Sequence, residues 1–264
     1  MNLSTTIAEK LPLLLPPHAP LTLKGVTHFG SVSFWHQKRK LRCGFRRNMA
    51  CHLKMETVVE SKFGIVRPAT GAYAQEAIEA LKSGKVIAVP TDTLYGFACD
   101  AWLTSPLAIC VGDVSNIQRF AVTDHLPHGL LDSLLPGPVT VILERGVSSI
   151  LEKSLNLGLD SIGVRVPDSD FIRIISRGSG SALALTSANL SGQPSTVCIK
   201  DFENLWEHCA YIYDGGILPS GRAGSTIVDL TRRGTYKIVR DGSAREETIA
   251  ILERHSLLEE TAAS

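Results

Sequence analysis

Pro90-Thr91-Asp92-Thr93-Leu94-Tyr95-Gly96 follows the apolar run Lys85-Val86-Ile87-Ala88-Val89. That run has the length and β-branched content of a buried strand. Pro90 closes it, and three hydrogen-bonding side chains and an aromatic ring then gather before a glycine. Ligands of open α/β sheets bind at strand ends. Buried polar groups need partners, so core packing is a poor account of this cluster. The stretch reads as one wall of a site at the end of a strand.

Outward from it, strands alternate with short helices. Residues 63–66 form a strand stopped by Arg67-Pro68. Residues 72–83 form a helix, because Ala74, Ala77, Ile78 and Leu81 share one face and Gly84 is a natural stop. Further strands cover 107–111, 139–143, 162–166, 182–185, 211–213, 226–230 and 236–239. Val114, Ile117, Phe120 and Ala121 repeat as a helical turn or two. Leu126, Leu130, Leu131 and Leu134 repeat as a short helix that ends at Pro136-Gly137-Pro138. Residues 171–177 and 244–254 are helical. The pattern predicts an α/β domain with a mixed sheet over residues 56–264.

Residues 1–55 differ in kind. They carry nine Lys/Arg and one acid, Glu9, whereas residues 56–264 carry 18 bases and 25 acids. Basic, hydroxyl-bearing and acid-poor is the composition of an organelle transit peptide, here expected to be disordered. Chloroplast or mitochondrion is the expected location, with cytoplasm the alternative. No apolar run approaches the ~20 residues of a membrane span, so no membrane partner is expected. The six cysteines form no C-x-x-C pair and have no His at metal-ligand spacing, so no protein-held metal is expected.

Several other segments pair a strand end with polar residues and glycines. They centre on Thr140, Arg165, Ser187 with Asn189, Ser225, and Arg240. A Thr/Ser/Asn cluster alone is more often a turn or a cap than a site. Arg165, set between valines, is more pointed: its charge needs a protein partner, with Asp168 and Asp170 at hand, or a ligand. There is no Ser-His-Asp order, no G-x-S-x-G and no Walker A motif. Hydroxyls, an amide and two arginines suit an anionic ligand such as a nucleotide. Reactions at phosphorus can run on positioning and charge stabilisation alone.

Residues 60–250 resemble the YrdC family of threonylcarbamoyl-AMP synthases. The matching pieces, in the family's order, are Ser83-Gly84-Lys85, Pro90 to Gly96, Leu135-Pro136-Gly137-Pro138-Val139-Thr140, Val164-Arg165-Val166-Pro167, Thr186-Ser187-Ala188-Asn189, Ser225-Thr226-Ile227-Val228-Asp229 and Arg240-Asp241-Gly242. Plant organelle members look closest. The resemblance implies a twisted open α/β sheet with flanking helices, of the YrdC/RibB-like type, around a positively charged cavity. It implies conversion of L-threonine, bicarbonate and ATP to threonylcarbamoyl-AMP and pyrophosphate. A tRNA threonylcarbamoyl transferase would use the product downstream, and Mg²⁺ would accompany ATP. Carried over by motif, Thr91, Thr93, Tyr95, Arg165 and Ser225 would bind threonine. Thr140, Ser187, Asn189 and Arg240 would bind the nucleotide. Arg165 and Thr93 would be catalytic.

One departure stands out. After Gly96 the family continues with an extended piece, a helix and a Lys-x-Arg signature before its next strand. Here Phe97 to Ser105 lead straight into Pro106-Leu107, with Trp102 at the junction. About 15 residues, one helix with its loop, are missing near 101–103. Nine partly extended residues cannot carry a helix back across the sheet. The 107–111 strand is therefore expected to pair differently, or the face that helix would cover to stay exposed. A splice variant with impaired synthase activity is the expectation. The alternatives are a catalytically inactive binder of double-stranded RNA or tRNA, a regulatory isoform, and a sugar-phosphate enzyme of the dihydroxybutanone-phosphate synthase type. The acid excess of residues 56–264 counts against strong RNA binding.

Overall fold

The strands predicted from the sequence join into one mixed sheet. The computed structural model describes residues 64–100, 108–146, 149, 151, 159–219 and 221–260. The strands are β1 (Ile65–Pro68), β2 (Ile87–Pro90), β3 (Tyr95–Asp100), β4 (Ala108–Cys110), β5 (Val139–Glu144), β6 (Ser161–Arg165), β7 (Leu183–Ser187), β8 (Tyr211–Asp214), β9 (Thr226–Asp229), β10 (Thr235–Arg240) and β11 (Leu258–Glu259). Their order is β1-β8-β2-β3-β7-β4-β6-β5-β9-β10-β11. The pairs β1–β8, β8–β2, β4–β6, β5–β9 and β10–β11 are parallel, and the rest are antiparallel.

Two helical layers cover the sheet. On one face lie α1 (Ala74–Lys82) and α3 (Asp170–Ser179). Ala74, Ala77, Ile78 and Leu81 of α1 meet Phe171, Ile172 and Ile175 of α3 over Ile87, Val89, Ala98 and Leu183. The predicted apolar spacing thus becomes a packed face. Gly84 ends α1 at φ 72°, where its N–H donates to Leu81 O and that of Lys85 to Ala80 O. That is the Schellman arrangement, which a glycine enters without strain. On the other face lie α2 (Leu130–Leu134), α4 (Arg245–Arg254) and two 3₁₀ segments, Val114–Arg119 and Ile199–His208. They enclose the larger core, with Phe97, Ile117, Phe120, Val141, Val164 and Leu252.

Three elements escaped the sequence reading: β3, β11 and the 199–208 segment. β3 pairs antiparallel with β2 from Pro90↔Tyr95 to Ile87↔Ala98. The 90–96 stretch is therefore a hairpin rather than a strand running out to a loop. Its tip, 91–94, is built by one side chain. Thr91 Oγ1 accepts the N–H groups of Thr93 and Leu94, both at 3.1 Å, and donates to Leu94 O at 2.7 Å.

β3 and β4 both run antiparallel to β7, one on each side of it, and so are parallel to each other. Residues 101–107 join them, where a parallel crossover ordinarily takes a dozen residues or more. β4 sits between β7 and β6. Ala108 and Gly163, beside each other there, are half-buried. The expected transit peptide, 1–55, and the junction at 101–103 with Trp102 lie outside the described residues. No helix among the described residues is long and apolar enough to cross a membrane.

Candidate active site

Beside α1 and α3, on the same face of the sheet, lies a cavity of about 770 Å³. Such a volume suits a small-molecule ligand. Its floor is the row Leu185, Ala108 and Gly163, paired across β7, β4 and β6, with Ile142 of β5 opposite Gly163. Thr91, Thr93, Tyr95, Thr140 and Arg165 line it, as do Ser187, Asn189, Ser225 and Arg240. These are all nine site residues named from the sequence, contributed by strands and by the loops at their ends.

The threonines and Arg165 form a buried knot. Arg165, 8% exposed, donates from Nη2 to Asp92 Oδ1 at 2.7 Å and to Thr93 Oγ1 at 3.2 Å. The partner anticipated from the sequence, Asp168 or Asp170, is not the one found. Asp168 contributes its backbone N–H, which donates to Asp92 Oδ2 at 3.0 Å. A single carboxylate at the hairpin tip therefore holds both the guanidinium and the loop after β6. Arg165 Nε is buried without a partner among the described residues. A lone buried N–H costs free energy unless something accepts it, so it points to a ligand or water acceptor.

Tyr95 serves differently from a ligand-facing hydroxyl. Its ring packs on Phe202, and its hydroxyl donates to Gly216 O at 2.7 Å and accepts Gly215 N–H at 2.9 Å. Burial pushes that phenol up to about 12. Tyr95 thus anchors the 214–216 turn, and the loop that follows the turn brings Arg222 and Ser225 to the cavity. Thr91 likewise spends its hydroxyl on the turn.

Across the floor, Thr140 Oγ1 and Ser225 Oγ lie 2.7 Å apart. Arg240 Nη2 donates to Ser225 O at 2.8 Å and to Ser225 Oγ at 3.2 Å. The Arg240-Asp241-Gly242 run holds this corner because Gly242 crosses the backbone at the start of β9. A Cβ there would collide with the backbone of Ser225 and Thr226, so no side chain fits. Arg240 keeps an exposed edge at the rim. Its pKa is lowered, first by the desolvation its neighbours impose and then by the positive charge of Arg165. Asn189 donates both amide hydrogens to its own loop, to Leu190 O and Gln193 O. Its Oδ1 is buried with no partner among the described residues.

The sequence reading missed Arg222, which lines the cavity from the Gly-rich segment after β8. It hydrogen-bonds Ser195 O and pairs with Asp201 at 3.3 Å. An arginine close to glycines beside the Gly224-Ser225 motif was the available signal. Among the described residues, three arginines thus line the cavity. Asp92 and Asp201 neutralise two of them, and Arg240 forms no ion pair among the described residues. The arrangement can hold an anion between guanidinium and hydroxyl donors.

Residues 79–242 match the Sua5/YciO/YrdC family, described as "Telomere recombination". The chain belongs to this family. It is 43% identical over 202 residues to the threonylcarbamoyl-AMP synthase of Bos taurus, covering 69% of this chain and 72% of that one. The Homo sapiens protein of the same name is 41% identical over 198 residues, covering 67% and 70%. Among solved structures, a doubly substituted variant of P. abyssi Sua5 superposes with a TM-score of 0.60 at 25% identity, covering 68% of this chain and 60% of that one. P. abyssi Sua5 complexed with L-threonine reaches 0.62 at 23% identity, covering 75% and 62%, and supports the fold. The chain therefore spans about three fifths of those P. abyssi proteins. The bovine match runs over 202 residues yet takes in only 69% of 264, roughly 20 fewer than 202. Roughly that many positions of the relative have no counterpart here.

Proposed function

We propose that this chain binds ATP and L-threonine in the cavity as a threonylcarbamoyl-AMP synthase of low turnover. One observation carries the reading: all nine residues named from motifs scattered between Thr91 and Arg240 converge on one cavity, whose Arg240 forms no ion pair among the described residues. Thr93, Arg165 and Ser225 would take threonine, with Tyr95 and Thr91 shaping its walls. Thr140, Ser187, Asn189 and Arg240 would take the nucleotide. ATP would bring Mg²⁺ on its phosphates. The donors here are hydroxyl and amide oxygens, and among the described residues no three acidic, His or Cys groups cluster. That donor set fits an ion held by phosphate oxygens and water.

In the proposed reaction, the threonine amine takes up bicarbonate-derived CO₂ as a carbamate. The carbamate oxygen displaces pyrophosphate from the α-phosphorus. Negative charge gathers on phosphate oxygens in that step, and fixed N–H and O–H donors stabilise it without reorganising. Arg240 and the Thr140–Ser225 pair are the donors present for it. The resemblance places two more cations on the Lys-x-Arg segment that this chain lacks. Two charge-assisted contacts are worth ~1.5–3 kcal/mol each, a loss of roughly a hundredfold or more in rate.

The short β3–β4 linkage and the shortfall against mammalian relatives support a splice-variant or misassembled origin. The basic, hydroxyl-rich residues 1–55 support delivery to a chloroplast or mitochondrion of a plant cell. Calorimetry with ATP and with L-threonine, followed by a pyrophosphate-release assay, tests the function. Binding with little release is expected. Inserting the helix and Lys-x-Arg after Ala101 should then raise release about a hundredfold. Full release without the insertion would overturn the impairment, and absence of binding to either ligand would overturn the substrate reading.

A further inference from the structure

We propose that Asp92 is a positioning residue that sets the charge of the cavity. By neutralising Arg165 it leaves Arg240 as the place where a ligand's anionic group lands. The inference rests on the reading of the cavity as an anion site and adds an orientation to it.

The strand order β6-β5-β9-β10 places Arg165, Thr140, Ser225 and Arg240 in succession across the sheet. Asp92 and Arg165 are 8% and 9% exposed as side chains, so their 2.7 Å contact is screened far less by solvent ions than a surface pair. Asp92 is tied in this orientation by a second contact, since its other oxygen accepts the Asp168 N–H at 3.0 Å. Arg165 therefore meets a ligand with its charge already opposed by a carboxylate, mainly through hydrogen bonds. At the other side Arg240's side-chain partners among the described residues are neutral oxygens, Ser225 O and Oγ. Asp241 beside it is engaged with Arg245 at 2.9 Å. An incoming phosphate or carboxylate gains most at the cation that lacks a counter-charge. A bound ligand would run from a part held mainly by hydrogen bonds at Thr93 and Arg165 to its phosphate at Arg240, beside Ser225 and Thr140.

The sign of one substitution separates this role from a structural one. Loss of a merely structural residue weakens every ligand. Removal of the Asp92 charge instead leaves two uncompensated guanidinium groups facing one cavity. The full chain and Asp92→Asn would each be titrated with inorganic pyrophosphate, by calorimetry and by thermal shift. The variant is expected to bind pyrophosphate about tenfold more tightly than the parent, and Asp92→Glu within about twofold of it. Equal or weaker binding by a folded Asp92→Asn would overturn the proposal. If that variant does not fold, Asp92→Asn/Arg165→Gln removes the pair as a unit. Parent-like pyrophosphate affinity would support the assignment, and a loss above about fivefold would overturn it. A parent that ignores pyrophosphate counts against the anion-site reading. The charge-setting role is judged by the difference between each variant and the parent.

Discussion

On the β6 side of the cavity Arg165 is buried and bound to Asp92, and on the β10 side Arg240 is open and bound to neutral oxygens. Two guanidinium groups in one cavity thus have opposite energetics. The first is held by tertiary structure and contributes to it. A buried ion pair can barely repay its desolvation, yet breaking it strands a charge. The second meets no carboxylate among the described residues, and its desolvation and the nearby charge of Arg165 both favour an outside anion. A stability residue and a binding residue can therefore line the same wall, and the difference lies in whether a carboxylate already stands opposite.

Substitutions can break that contrast. Arg165→Met leaves Asp92 buried and unpaired and is expected to lower stability by about 3–5 kcal/mol, measured by urea unfolding. Asp92→Asn in the same chain should recover at least half of the loss. A loss below about 1 kcal/mol for the single variant would show the pair to be dispensable. Arg240→Gln should do the reverse. Unfolding should move by less than about 1 kcal/mol, as for other rim substitutions. ATP affinity should fall about tenfold or more by calorimetry, the worth of one charge-assisted contact. Unchanged affinity would return the anion to Arg165.

Smaller effects sharpen the picture between the two arginines. Thr140→Val removes one partner of the 2.7 Å Thr140–Ser225 bond with little change of shape. A loss of about 1 kcal/mol is expected in the same unfolding assay. Asp201 tests the third arginine. The N–H of Val197, and then Arg222, hold its carboxyl below the usual carboxylate range. A depressed folded pKa gives stability that is present above about pH 4 and lost as pH falls through the folded value. Asp201→Asn should therefore flatten the acid limb of Tm against pH below about pH 4 and lower Tm at neutral pH. An unchanged acid limb would remove Asp201 from the account.

Much of the sheet was legible because its signals are local. Apolar runs bounded by Pro, Gly and polar residues marked most of the strands, and helical spacing with a glycine stop marked α1. β3 was not legible as a strand. Its residues, Tyr95–Asp100, follow a turn closed by the Thr91 side chain, and only pairing with β2 and β7 makes them a strand. The segment Ile199–His208 joins two 3₁₀ stretches across a kink at Phe202, a geometry with no single repeat to read. The site residues were legible as types and motifs. Their division of labour was not: Thr91 and Tyr95 spend their hydroxyls on turns, and Asn189 spends its amide hydrogens on its own loop.

Sequence alone determined nine of the side chains that gather, since each motif is a short run whose strand end and turn chemistry are set by its neighbours. Tertiary structure decided which of them remain available to a ligand. Asp92 and Arg165 stand 73 residues apart, and Asp168, three residues from Arg165, lost the competition for it. Charge pairing is settled by distance and burial after folding, and neither is written in sequence spacing.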